Sequence, residues 1–169
     1  MKELIDNIEQ WGQDRNLIEG SRAIDQAMKL FSEFGELSDA VGKSRIEQVK
    51  DGIGDVFVVL TLMSRQNGDT LHNHIDQTGY TAYQCVKTAV TFLAKDLFVV
   101  SNQYNGTALV SALDTLRYIA KHYNLTLDEC VAHAYDEIKD RKGVMFNGVF
   151  IKESDEAYAD AVRELAKQR

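Results

Sequence analysis

Residues 26–36 read Gln-Ala-Met-Lys-Leu-Phe-Ser-Glu-Phe-Gly-Glu, and residues 51–63 read Asp-Gly-Ile-Gly-Asp-Val-Phe-Val-Val-Leu-Thr-Leu-Met. Both stretches repeat apolar residues at three- and four-residue intervals, the period of a helix and not of a strand. Extended outward, the first belongs to a helix from about Gly20 to Val41, with Ile24, Ala27, Met28, Phe31, Phe34 and Val41 on one broad face. The second belongs to a helix from about Arg45 to Gln66 that stops at Asn67-Gly68. The same period predicts helices over Met1–Trp11, about Thr81–Gln103 and about Ala108–Tyr123, with a short segment at Leu71–Gln77. Thr126-x-x-Glu129 is a capping-box pattern that starts a helix running to Arg141. Between Met145 and Ile151, two short apolar runs flank Asn147-Gly148, the strongest short-range hairpin signal. Ser154 offers an N-cap for a last helix, Asp155–Lys167. The fold expected is all-α, with a small C-terminal hairpin and helix.

Composition agrees. The 169 residues make about one domain, and 44% hydrophobic is enough for a core. There is no proline, where average usage would give about 8; a turn-rich sandwich or a long linker is disfavoured. With 19 basic and 26 acidic residues the net charge is −7, a poor basis for gripping nucleic acid by phosphate neutralisation. The first residues are charged from Lys2 onward, and Val56–Met63 is too short to span a bilayer. The expectation is a soluble, cytoplasmic protein with no nucleic-acid or membrane partner. Cys85 and Cys130 are expected to be buried helical thiols.

The chain echoes itself. Gln26-x-x-Lys29 with the apolar pattern after it can be laid on Gln84-x-x-Lys87, with Thr91 and Ala94 standing where Glu33 and Glu36 stand and Asp114 answering to Asp55. This implies a helical domain over residues 1–153 whose active helix pair, about 20–66, has a degenerate copy over about 79–124, followed by a C-terminal helix at 154–169.

The chemistry sits in the acids. Glu33 and Glu36, three apart, point the same way and share a stripe with Gln26 and Lys29 at the edge of the apolar face. Asp51 and Asp55, four apart, share a face that continues as Val58, Val59 and Leu62, so Asp55 starts an otherwise apolar stripe. Unpaired buried carboxylates are costly. Basic partners, raised pKa values or a divalent cation would each relieve them. Oxygen-only ligands suit Mg²⁺ or Mn²⁺, and no His or Cys is spaced with these acids to indicate zinc.

Glu33-Phe-Gly-Glu36-Leu followed by Asp51-Gly-Ile-Gly-Asp55-Val resembles the E-x-x-E … E-x-x-D signature of the MazG-like, all-α nucleoside triphosphate pyrophosphohydrolases. Trp11-x-x-Asp-Arg15-Asn-Leu-Ile-Glu19-Gly, Gln26-x-x-Lys29 and Ala134-Tyr-Asp-Glu-Ile-Lys139-Asp-Arg141-Lys142-Gly look like segments of small phage and bacterial members. The likeness covers about residues 5–66 and 116–153. It departs at Gly52, where the third acid would stand; Asp51 lies one residue earlier on the same face. Dimeric-type dUTPases, larger relatives, are thought to hold a live and a degenerate copy in one chain.

The resemblance implies a four-helix core in which Glu33, Glu36, Asp51 and Asp55 hold Mg²⁺ (or Mn²⁺) against a nucleotide's phosphates. The reaction implied turns a nucleoside triphosphate and water into a monophosphate and pyrophosphate, serving nucleotide-pool control. Glu36, before Glu33, is the candidate general base, and Lys29 steadies the carboxylates or a phosphate. Lys139, Arg141 and Lys142 read as a phosphate clamp or as cations answering a helix dipole. Trp11 reads as a core anchor or a base-stacking ring. Family members are usually dimers or tetramers, so a homo-oligomer is implied. Narrow specificity for (d)GTP or dUTP, and a non-catalytic helical binding module on the same scaffold, are the competing readings.

Overall fold

The computed structural model describes residues 1–79 and 82–168. Seven α-helices and one two-stranded sheet make up the regular structure among them: α1 (Lys2–Asp14), α2 (Ala23–Gly42), α3 (Ile46–Gln66), α4 (Val86–Asn102), α5 (Gly106–His122), α6 (Leu127–Ile138), β1 (Gly143–Phe146), β2 (Val149–Lys152) and α7 (Tyr158–Gln168). The chain is mostly helical, as the periodicity predicts. Leu71–Asn73 is a single 3-10 turn. The expected helix start at Thr81 lies outside the described residues; among those described, α4 begins at Val86.

The core is organised around α3. From Gly52 to Ser64 every residue is buried except Asp55, so the helix has almost no solvent face. It packs against α1, α2, α5 and α6, while α4 pairs with α5 and also touches α2. Two glycines permit this crowding. A Cβ at Gly54 would stand 2.3 Å from the Cys130 carbonyl oxygen, and one at Gly52 would stand 2.9 Å from Leu37 Cβ. The absent side chains let α6 and α2 approach α3 at the level of the two aspartates.

Local signals place the remaining elements. Thr126 Oγ1 accepts from the Glu129 amide at 3.2 Å and Glu129 Oε2 from the Thr126 amide at 2.7 Å, closing the predicted capping box at α6. Asn147 and Gly148, with φ of 50° and 78°, make the left-handed two-residue turn that suits a hairpin, and Phe146 faces Val149 across it. Residues 153–157 form turns in which Asp155 accepts from the Lys152 amide at 2.8 Å, so α7 starts three residues after the expected Asp155.

Three expectations are corrected. The buried face of α2 is Gln26, Ala27, Leu30, Glu33, Leu37, Ala40 and Val41, whereas Ile24 and Met28 are 53% and 60% exposed. Cys130 is buried but Cys85 is exposed ahead of α4. In the second helix pair Gln84 and Thr91 face solvent, where Gln26 and Glu33 are buried, so the echo in that register does not reproduce the burial of α2. The buried acid of α4 is Asp96, which accepts from Ser111 Oγ of α5 at 2.6 Å.

Asp69 ties the end of α3 to the loop before α5. It accepts from the Thr70 amide at 2.8 Å, Asn73 Nδ2 at 2.7 Å and Tyr104 Oη at 3.0 Å, and pairs with His74 Nε2 at 2.6 Å. Burial works against its charge, but these hydrogen bonds outweigh burial and hold the carboxyl well below the usual carboxylate range. Its folded pKa is thus below the unfolded value of about 4. The stability it contributes is present above that value and is lost as pH falls through it toward the folded pKa. Asp69→Asn is expected to cost about 1.5–3 kcal/mol at pH 7, the value of hydrogen bonds to a charged group. It should also flatten the loss of stability below pH of about 4. Urea melts at pH 7 and pH 3 check both.

Candidate functional site

A cleft of about 470 Å³ opens between α2, α3, the end of α6 and the hairpin. That volume lies within the range of small-molecule sites. One end is charged. α2 contributes Gln26, Lys29, Glu33 and Glu36, and α3 contributes Asp51 and Asp55. Gln26 and Glu33 are buried at 6% and 4% exposure, while Lys29 and Glu36 are exposed on the same stripe. Lys29 Nζ is ion-paired with Glu33 Oε1 one turn on, which compensates the buried glutamate. Glu137 and Arg141 complete this end, so five carboxylates face two cationic side chains there, while Asp25 lies by Gly148 of the hairpin and is paired with Arg22.

The imbalance is visible in the aspartates. Burial, then the charge of Glu33, then that of Asp51 push the Asp55 carboxyl up to about 7, against smaller opposing effects of Lys29 and Arg141. Asp51 is also raised, by burial first and then by Glu137. Its Oδ1 is enclosed without a hydrogen-bond partner. Gly52 cannot supply the third acid, because any side chain there meets Leu37 of α2. Asp51, one residue earlier, lines the cleft instead.

The other end is apolar. Val58, Val59 and Leu62, the residues that continue Asp55's stripe, line it together with Trp11, Leu17, Ile138, Met145 and Phe150. Trp11 is fixed by its Nε1–H, which donates to the Ile138 carbonyl at 2.8 Å. Arg15 lies 5.0 Å from the Trp11 ring centre and donates to the carbonyls of Arg141 at 2.6 Å and Lys139 at 3.1 Å. The last carbonyl of α6 is therefore satisfied by Trp11 of α1 and two just beyond it by Arg15, which ties Trp11 to the cleft wall. The hairpin closes the wall: the Met145 amide donates to the Arg15 carbonyl at 2.8 Å and Asn16 Nδ2 to the Met145 carbonyl at 2.9 Å.

Of the candidate residues, Trp11, Gln26, Lys29, Glu33, Glu36, Asp51, Asp55 and Arg141 are brought together. Lys139 and Lys142 are not. The Lys139 ammonium is paired with Asp136 at 2.7 Å and Lys142 with Glu153 at 3.5 Å, both outside the cleft. Glu137 and His133 were not singled out by the sequence, yet His133 Nε2 lies 3.8 Å from Asp51 Oδ1. The available signal is their spacing of four on α6, which puts the two on one face.

No protein-family model matches the chain, and no solved structure matches it. A stretch of 76 residues is 47% identical to the "Uncharacterized 18.2 kDa protein in rep-hol intergenic region" of Haemophilus phage HP1 (strain HP1c1). The stretch covers 45% of this chain and 43% of the phage protein, so the chain spans less than half of that relative's length. That likeness is to a phage protein whose description names no activity. No helix among the described residues is long and apolar enough to cross a membrane.

Proposed function

We propose that this protein is a MazG-like pyrophosphohydrolase that converts a nucleoside triphosphate and water into the monophosphate and pyrophosphate with Mg²⁺, or Mn²⁺, as cofactor. The observation that supports this is a single cleft with clustered carboxylates at one end and a Trp11-lined apolar wall at the other. The donor set fits such an ion: carboxylates from two packed helices, one with an enclosed oxygen that has no donor.

When bound, the ion would offset the phosphate charge and polarise phosphoryl oxygens. Glu33, Glu36, Asp51 and Asp55 would hold it. Glu36, exposed and without a basic partner among the described residues, would accept the proton of the attacking water. Lys29 orients Glu33, and Arg141 meets a phosphate at the rim. The base would lie toward Trp11, Met145 and Phe150, with the buried Gln26 supplying polar contacts.

A pyrophosphate-release screen of NTPs and dNTPs with Mg²⁺ and Mn²⁺ tests the reading. Turnover dependent on either metal is expected, and its order across the panel separates a broad enzyme from a (d)GTP or dUTP specialist. No metal-dependent turnover of any nucleotide would overturn it in favour of a binding module. Trp11→Ala is expected to raise KM by roughly 5- to 150-fold, the range for one lost base-stacking contact, with kcat changed far less. Trp11→Phe, which keeps a ring, should recover most of the loss.

A further inference from the structure

The proposed reaction leaves two donors beside Asp51 unused. His133 and Glu137 lie one turn apart on α6 and face Asp51 on α3. His133 Nε2 stands 3.8 Å from Asp51 Oδ1 and 3.8 Å from Glu137 Oε1, and one donor atom from each of the three lies within 4.8 Å of the others. These separations are too long for hydrogen bonds. They suit two ligands of one ion: bonds of about 2.1 Å meeting at roughly 110–130° hold their donors about 3.4–3.8 Å apart.

Asp51 Oδ1, the atom facing His133, is enclosed and accepts no hydrogen bond. Such orphaned acceptors are rare in folded proteins. Among the described residues, neither Asp51 nor Glu137 is ion-paired with a lysine or arginine. Two carboxylates thus converge on one imidazole at separations too long for a hydrogen bond. The close approach of α3 and α6 that brings them together is set by Gly54, so the three residues stand on packed helices, with Asp51 itself 38% exposed at the cleft.

We propose that Asp51, His133 and Glu137 form a site for a divalent transition-metal ion. The imidazole donor distinguishes it from the oxygen-only set: nitrogen favours Co²⁺, Ni²⁺ or Zn²⁺ over Mg²⁺. Three protein ligands leave further coordination positions for water or a phosphate oxygen. The site shares Asp51 with the proposed hydrolytic set but stands on its own geometry.

The full-length apo protein is titrated with Co²⁺, following its visible absorption and the bound metal after desalting, in the presence and absence of excess Mg²⁺. Wild type is expected to retain Co²⁺ against excess Mg²⁺. Asp55→Asn should retain it too. His133→Gln and Glu137→Gln should each weaken Co²⁺ by at least about 10-fold. Both side chains are partly exposed, at 33% and 49%, and circular dichroism and the thermal melt verify that the variants fold. Unchanged Co²⁺ affinity in both α6 variants, or displacement of Co²⁺ by Mg²⁺, overturns the site. Activity is not the readout: retention of Co²⁺ by a protein that hydrolyses no nucleotide upholds the site and removes the proposed reaction alone.

Discussion

Asp55→Asn is expected to abolish metal-dependent pyrophosphate release while making the metal-free protein more stable. Asp55 is the one residue between Gly52 and Ser64 that is not fully buried, and it carries the acid at the head of an apolar stripe. Burial and the neighbouring Glu33 and Asp51 push its carboxyl up to about 7. Losing such a ligand should cost at least about 100-fold in activity, since even partners one shell out cost 10- to 100-fold. For stability, the sign follows from the direction of the shift. The folded pKa lies above the unfolded value of about 4, so between these values the folded state holds a proton that the unfolded chain releases. Metal-free stability therefore rises as pH falls through 7 toward 4, and the repulsion is felt in full above 7. The amide of Asp55→Asn carries no charge to desolvate. Its Tm should exceed wild type at pH 8 and approach it by pH 5. Thermal melts in chelator at the two pH values, with a pyrophosphate assay in Mg²⁺, check both halves. A variant that releases pyrophosphate like wild type would remove Asp55 from the proposed ligand set.

Gly54→Ala is expected to destabilise the α3–α6 packing strongly. The added Cβ would stand 2.3 Å from the Cys130 carbonyl oxygen and 2.6 Å from Ala134 Cβ, both on α6 and neither at the end of a flexible side chain. Overpacking of this kind costs about 1–3 kcal/mol or more. At this size that lowers Tm by roughly 2–12 °C. Relief requires α6 to move away, carrying Ile138 and Glu137 off the cleft. Gly35→Ala is the control. It adds the same methyl to exposed α2 with nothing within 4 Å, and should stabilise by up to about 1 kcal/mol through helix propensity. Equal melting of Gly54→Ala and wild type would show that α3 and α6 are not held at this approach.

These two glycines also show what the sequence could disclose. α3 was legible because its apolar run, its Asn67-Gly68 stop and the stripe following Asp55 are all local patterns, and the Asn147-Gly148 turn was legible for the same reason. The buried face of α2 was not. Ile24 and Met28 are the more hydrophobic choices, yet the face that docks runs through Leu30, Leu37 and Ala40 beside the expected Ala27 and Val41, with Phe34 packed at its edge and Glu33 buried within it beside Lys29. Hydrophobicity counts an ion-paired glutamate as surface, and here it is interior. His133 and Glu137 escaped notice because their one local signal, a spacing of four on α6, is shared by many helical pairs. They acquire meaning only when α6 settles against Gly54 and meets Asp51. The basic run after α6 misled in the opposite way: Arg141 reaches the cleft, but Lys139 and Lys142 find partners in Asp136 and Glu153.

The hairpin wall has a consequence for the order of assembly. All four candidate acids lie between residues 33 and 55, on adjacent helices joined by a short turn, so their hairpin requires only short-range contacts. The wall opposite them joins residues far apart: Trp11 to Ile138, Arg15 to Arg141 and Asn16 to Met145, separations of 127, 126 and 129 residues. Closing such long loops is slow compared with local helix pairing. During synthesis the acidic hairpin can form while the segment that completes the apolar end has not yet left the ribosome. The carboxylates that the proposed reaction would use are thus brought together earlier than the apolar wall opposite them, whose last contact awaits Met145.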